Sequence, residues 1–171
     1  FKNHINQLVR LQTSQDRDLK NGILLDRNER VDYFNNKTFK LIKKNISQFS
    51  LNATPDINLL YKELAKKHKT KTSNIYIGQG ITEIISHILF SIVKSKEEVI
   101  ILNQTYPMYD VLCKLHNIKY KEWKFTKNFD LKFEDLKKLI TKKTRVLFLV
   151  NPNLPIIFEF NEKLKKEINN I

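Results

Sequence analysis

The stretch Asn74-Ile75-Tyr76-Ile77-Gly78-Gln79-Gly80-Ile81-Thr82-Glu83 constrains this chain more than any other. The chain holds only three glycines, and two of them stand here, at positions 78 and 80. Glycine reaches positive φ and lets backbone approach a ligand closely. Ile75, Tyr76 and Ile77 have the β-branched and aromatic character of a short buried strand. Behind the turn, Ile84, Ile85, Ile88, Leu89 and Ile92 recur at helical spacing. The expected unit is a strand, a glycine turn and a helix N-terminus. That terminus offers unpaired N–H groups and the positive end of a dipole, which together suit an anion, most often phosphate. No third glycine follows, so this is not the dinucleotide fingerprint, and no Gly-Lys-Ser/Thr follows, so it is not a P-loop. A tight strand-to-helix connection without a ligand satisfies the same pattern.

The rest of the chain supplies the context. His4 to Leu11 carry a short helical pattern, and Ile23-Leu24-Leu25 is a brief apolar run before the polar loop Asp26-Arg27-Asn28-Glu29-Arg30. Thr38 is placed to cap a helix with Phe39, Ile42, Ile46 and Phe49 on one face. Asp56 is placed to cap the next, with Leu59, Leu60 and Leu64 inward. Glu98 to Asn103 contain Val-Ile-Ile-Leu, a buried strand. Pro107 opens a helix with Met108, Val111, Leu112 and Leu115 on its apolar side. Residues 119–125 alternate as an edge strand. Phe133, Leu136, Leu139 and Ile140 mark a helix, and Val146 to Val150 a strongly apolar strand. A last amphipathic helix carries Phe160, Leu164 and Ile168. Strands alternating with helices imply an α/β fold with a mostly parallel sheet covered by helices. Ligands of such sheets sit at the carboxyl ends of the strands. The turns at Gly78–Gly80, Thr105–Pro107 and Asn151–Asn153 are all expected there.

The 171 residues are the length of one domain. No apolar run approaches the roughly 20 residues that span a bilayer. No secretory pattern opens the chain, and its start at Phe1 without an initiator Met suggests a trimmed or incomplete beginning. The lone Cys113 excludes an internal disulfide framework and suits a reducing compartment, so a cytoplasmic location is expected. Within an apolar helix it reads as a core residue rather than a nucleophile. The net charge of +13, from 31 basic and 18 acidic residues, brings a polyanion partner into consideration. The lysines are spread along the chain and fall on polar faces of the expected helices. They read as solvated faces, and nucleic acid is not the expected partner. The four histidines lack metal-ligand spacing, so no metal is expected. Glu97-Glu98 read as a solvated turn.

Six segments in this order resemble the large domain of fold-type I pyridoxal-phosphate (PLP) enzymes, in particular the class I/II aminotransferases of the histidinol-phosphate aminotransferase-like group. Leu25-Asp26-Arg27-Asn28-Glu29 resembles an Asp-x-Asn-Glu segment of that group. Pro55-Asp56 with Leu60, Glu63 and Leu64 resembles its Pro-Asp helix start. Gly78-Gln79-Gly80-Ile81-Thr82-Glu83 is similar to its phosphate turn, and Thr105-Tyr106-Pro107-Met108-Tyr109 to its Pro-Thr-Tyr-x-x-Tyr segment. Phe129-Asp130-Leu131 and the run Lys143 to Asn153 are similar to two further signatures. The resemblance covers roughly residues 23 to 160.

The resemblance implies a homodimeric PLP-dependent enzyme of amino acid biosynthesis, acting on a small-molecule amino donor and a 2-oxo acid. The donor would be an amino acid or a phosphorylated amino alcohol. It implies cofactor-binding roles for Gly80, Ile81, Thr82, Tyr106 and Asn151. The N–H groups of Ile81 and Thr82 would hold the phosphate, Tyr106 would stack on the pyridine, and Asn151 would donate to its phenolic oxygen. Asn28 would lie over the substrate entrance. Residues 1–50 would form an amino-terminal arm and helical segment, and residues 51–171 the first part of the PLP-binding large domain. The sequence departs from the family pattern in places. Ile81 and Thr82 replace a small or hydroxyl residue and an Asp. Thr54 stands where a Tyr is frequent. Leu154-Pro155-Ile156-Ile157 replaces Asn-Pro-Thr-Gly. In the family the Schiff-base lysine, the Asp that protonates the pyridine nitrogen and the substrate-carboxylate arginine all follow this turn. The chain therefore resembles the amino-terminal half only, with no catalytic residue of its own, and is expected to be inactive alone. A PLP lyase or decarboxylase of the same fold, or a non-enzymatic basic α/β module binding polyanions, are the alternative functions.

Overall fold

A computed structural model describes residues 22, 30 and 32–171. These fall into two compact units that divide between Tyr76 and Ile77. The first contains helices α1 (Asn36–Asn45), α2 (Gln48–Asn52) and α3 (Asn58–Lys67), followed by a 3-10 turn at Thr72–Asn74. Asn35, not Thr38, caps α1: its side chain accepts from the Thr38 N–H at 2.8 Å. The single helix expected from Phe39 to Phe49 breaks at Ile46-Ser47. Ser47 exchanges hydrogen bonds with Ser50 in a capping box that starts α2 afresh. Asp56 is not the cap of α3: Ile57 takes that position with no side-chain cap hydrogen bond, and Asp56, one residue earlier, accepts from the Asn58 N–H at 2.9 Å. Leu59 and Leu60, expected inward, are 70% and 48% exposed, and Ala65 is the buried residue of that helix.

The second unit runs α4 (Ile81–Ile92), β1 (Glu98–Leu102), α5 (Met108–Leu115), β2 (Lys119–Trp123), α6 (Phe133–Leu139), β3 (Thr144–Leu147) and α7 (Glu162–Asn169). Its sheet is parallel throughout, in the order β2-β1-β3. Strand β1 is central because both its faces are apolar. Val99 and Ile101 point into one cluster with Ile85 and Leu89 of α4 and Tyr109, Leu112 and Cys113 of α5. Ile100 and Leu102 point into the other, with Trp123, Leu136 of α6, and Phe160 and Leu164 at α7. The sheet is thus covered on both faces, as a parallel sheet requires. Chain direction reverses across β1. The β1–β2 crossover runs through α5 on one face, and the β2–β3 crossover through α6 on the other. Opposite directions on opposite faces give both crossovers the same hand.

Three expectations change here. The buried strand at 75–77 does not form: Ile75 leaves the 3-10 turn in extended conformation. No ladder partner stands beside it among the described residues, and extended backbone without a partner is not a strand. Phe160 precedes α7 rather than lying on it, and Asn161 caps the helix through the Leu164 N–H at 2.8 Å. Glu98 is not part of a solvated turn. It opens β1, its side chain is 12% exposed, and Oε1 accepts from Lys121 Nζ at 2.7 Å, Thr141 Oγ1 at 2.7 Å and Thr144 Oγ1 at 3.3 Å. One carboxylate thereby ties the amino end of β1 to β2 and to the segment that enters β3. Among the described residues no helix is long and apolar enough to cross a membrane, and no group of three or more His, Cys, Asp or Glu is placed to hold a metal.

Helices α4 and α5 are clasped by a 2.7 Å hydrogen bond between Ser86 Oγ and His116 Nε2. Burial holds His116 below its ordinary pKa, so the ring is neutral at pH 7.

Two outcomes test this packing. The Lys121 hydrogen bond, helped by those from Thr141 and Thr144 and opposed by burial, holds Glu98 below its reference pKa of 4.5. Its stabilisation is therefore complete above that value and is lost as pH falls through the lower folded pKa. Glu98→Gln should lower stability by roughly 1–3 kcal/mol near neutrality and flatten the acid limb of a denaturation series; an unchanged acid limb would refute the linkage. Cys113 is fully buried, and burial, then the Asp110 charge, pushes its thiol up to about 12. It should react with a disulfide reagent at pH 8 only as fast as the chain opens, whereas prompt native-state labelling would contradict the core assignment.

Candidate functional site

The geometry begins at the glycine turn. Gly80 has φ +86°, where an L side chain is strained whatever the space around it. At Gly78 the constraint is space: an added Cβ would stand 2.8 Å from Ile84 Cγ1. The turn is closed by the Gly80 N–H, which donates to Gly78 O at 2.9 Å. The Gln79 N–H donates to the Glu83 carboxylate. Gly80 then caps α4 with no side-chain hydrogen bond. The N–H groups of Ile81 and Thr82 have no acceptor among the described residues. They lie at the positive end of a helix of 12 residues.

The second segment leaves the carboxyl end of β1. Asn103 Oδ1 accepts from the Phe125 N–H at 2.9 Å, holding the chain against the end of β2. Pro107, with φ −60°, starts α5. Tyr106 sits just before it, exposed, with its ring edge-on to Tyr109 at 6.3 Å. Its hydroxyl is 3.2 Å from Thr82 Oγ1. This contact brings the first two segments together. The Thr82 hydroxyl has one donor and two acceptor positions, so it can accept a hydrogen bond from the Tyr106 hydroxyl and still donate to an anion.

The third segment follows β3. The Phe148 N–H extends the ladder to Ile100 O at 2.9 Å, and the chain then turns through Asn151-Pro152-Asn153. Asn151 Oδ1 accepts from the Phe160 N–H at 3.1 Å, which leaves its Nδ2 as a donor. Asn153 is fully buried. Its Nδ2 donates to Gln104 O at 2.8 Å and to Ile156 O at 3.1 Å, while its N–H donates to Phe158 O at 2.9 Å. Asn153 therefore pins the third segment to the second. Beside it, Thr105 Oγ1 and Asn153 Oδ1 are buried without a hydrogen-bond partner among the described residues.

The position follows from topology. The chain leaves β1 toward α5 on one face, and leaves β3 toward α7 on the other. Adjacent strands whose connections part to opposite faces open a crevice at their carboxyl ends, where open α/β sheets bind ligands. Tyr106 and Asn151 stand on the two loops that bound it. Of the residues read from the sequence, Gly80, Ile81, Thr82 and Tyr106 come together, and Asn151 stands on the loop that Asn153 ties to Gln104. Asn28 lies outside the described residues. Asn153 is a positioning residue that the sequence does not single out, because an asparagine two residues past another in a proline turn has the pattern of ordinary turn chemistry.

Similarities to known proteins agree with this geometry. Residues 20–157 match the family described as Aminotransferase class I and II. A histidinol-phosphate aminotransferase of Methanocaldococcus jannaschii is 40% identical over 100 residues, 57% of this chain and 27% of that protein. An alanine aminotransferase from Pyrococcus furiosus has the same fold over 77% of this chain and 35% of its own, with a TM-score of 0.66 at 22% identity. A PLP-bound chain from Clostridium difficile 630 matches with a TM-score of 0.59 at 17% identity, over 78% of this chain and 35% of its own. The chain spans about a third or less of the curated relatives it matches. On the extent of the family match, the chain belongs to the aminotransferase class I and II family, whose cofactor is pyridoxal phosphate.

Proposed function

We propose that this chain carries the cofactor cradle of a PLP-dependent aminotransferase. The whole protein would move an amino group between an amino acid, or a phosphorylated amino alcohol like histidinol phosphate, and a 2-oxo acid. The observation that carries this reading is the 3.2 Å contact between Thr82 Oγ1 and Tyr106 hydroxyl at the open N-terminus of α4. It sets an aromatic ring beside unpaired phosphate donors, at the rim where the sheet opens.

The groups present fit a phosphorylated pyridine. The Ile81 and Thr82 N–H groups and the Thr82 hydroxyl are donors for a phosphate. The positive φ of Gly80 turns the chain into α4, with open space beside its Cα. The Tyr106 ring is a stacking face, held in orientation by its bond to Thr82. Asn151 Nδ2 is a donor for the phenolic oxygen, with the rest of its amide fixed by the Phe160 N–H. When bound, PLP supplies the electron sink for bond-breaking at the amino carbon. In this reading residues 51–171 are the first part of the cofactor domain and residues 1–50 an arm, with Asn28 over the substrate entrance. The whole protein would be a cytoplasmic homodimer in amino acid biosynthesis.

Isothermal titration of the chain with PLP, pyridoxal and inorganic phosphate tests the cradle. PLP should bind more tightly than pyridoxal, and phosphate should compete. Tyr106→Ala should weaken PLP binding by roughly 3- to 10-fold, the worth of one aromatic contact, and Thr82→Val by a similar factor for one lost hydrogen bond. Equal binding of PLP and pyridoxal, or no effect of Tyr106→Ala, would remove the cradle. The reaction is tested on the whole gene product with histidinol phosphate and 2-oxoglutarate. A product that binds PLP yet transfers no amino group from any donor would leave the cradle standing and the aminotransferase reading wrong.

A further inference from the structure

Opposite the cofactor rim, at the amino ends of the three strands, the second unit has a concavity of about 1080 Å³. Five lysines line it, and four of them, from three separate segments, have no acidic partner among the described residues. Lys94 and Lys96 lie in the turn that leaves α4, Lys119 is the first residue of β2, and Lys143 immediately precedes β3. Lys119 is registered opposite Glu98 on one side of β1, and Lys143 O accepts from the Glu98 N–H on the other. The two lysines therefore stand two strand spacings apart, about 10 Å.

These charges outnumber the acids around them. Two carboxylates line the same concavity, and neither forms an ion pair with any of the four lysines. Glu97 Oε2 accepts from the Lys94 backbone N–H at 2.7 Å, and Glu98 is held by Lys121 and two threonines. The one further lysine at the rim, Lys114, is paired with Asp110 at 2.8 Å. None of Lys94, Lys96, Lys119 and Lys143 has an acidic partner among the described residues. Complementing a helix dipole explains basic residues near the carboxyl ends of α4 and α5. It does not explain Lys119, which begins β2, or Lys143, which immediately precedes β3. Four like charges around one concavity focus a positive potential. Phe90, on the last turns of α4, lines the same concavity and is 78% exposed. An exposed aromatic beside a lysine row is the pairing that holds single-stranded nucleic acid: phosphates along the cations, a base on the ring.

The geometry points to a second binding site: the amino rim takes single-stranded nucleic acid, with phosphates on Lys94, Lys96, Lys119 and Lys143 and a base stacked on Phe90. This site lies away from the cofactor cradle and does not depend on it.

Fluorescence anisotropy of a short labelled oligouridylate, between about 50 and 200 mM salt, tests the site on the full chain. The quadruple variant K94Q/K96Q/K119Q/K143Q should bind at least about 10-fold more weakly. Its slope of log affinity against log salt should fall by about 3, from roughly 0.7 for each of four contacts. The control K124Q/K132Q/K163Q/K166Q removes the same charge elsewhere and should lose much less. Phe90→Ala should lose at least about 5-fold with the salt slope unchanged. If the quadruple variant fails to fold by circular dichroism, the pairs K94Q/K96Q and K119Q/K143Q carry the same comparison, each with half the change in slope. Equal losses in the rim and control variants, wild-type binding by Phe90→Ala, or no binding at the lowest salt would each overturn the site. So would heparin retention that the rim lysines alone control while Phe90→Ala leaves both ligands unaffected.

Discussion

Strand β1 is apolar on both faces, and the second unit is organised by that fact. Val99, Ile100, Ile101 and Leu102 are each at most 3% exposed. Burying a side chain of this kind is worth about 1.5–3 kcal/mol. A strand with a single apolar face could accept water on the other. This one has to be covered twice, so α4 and α5 lie on one side and α6 and α7 on the other. Burial on both faces also places β1 in the middle, with β2 and β3 hydrogen-bonded to either edge. From that position its two ends become the two rims.

The carboxyl rim is held by polar contacts that the apolar core alone would not specify. Asn153 is buried with its amide turned to Gln104 O and Ile156 O. Removing either acceptor would leave a buried donor unpaired, which costs more than the bond itself contributes. The loop after β3 is thereby registered against the loop after β1. Thr82 and Tyr106 join the α4 terminus to the same rim. At the amino rim Glu98 does the corresponding work among the strand starts. A carboxylate at one end and an amide at the other fix how the strand ends stand to one another.

Much of this was legible in the residues. The Val-Ile-Ile-Leu run, the helical spacing behind Gly80 and the Pro107 start all appear where the periodicity places them, and the alternation at 119–125 gives a strand over Lys119–Trp123, because each is a local pattern with a local cause. Departures occur where the deciding partner is distant or competes locally. Ile75 to Ile77 have strand character but no ladder beside them among the described residues. Leu59 and Leu60 have helical spacing but remain exposed. Thr38 is a good cap, yet Asn35 lies three residues earlier and takes the helix start. Glu98 looks like one of two solvated acids until Lys121, Thr141 and Thr144 are brought around it from 23 to 46 residues away.

The sequence by itself determined the alternation of strands and helices after Gly80, the α/β class, the special backbone at Gly80 and the family, since all of these rest on residue types and short spacings. The tertiary structure alone decided which distant groups meet. Thr82 reaches Tyr106 across 24 positions, and Asn153 reaches Gln104 across 49. Lys119 and Lys143, read along the chain among scattered solvated lysines, line one concavity because parallel strands start side by side. Strand order is set by which faces must be buried together, and no window of sequence contains that information.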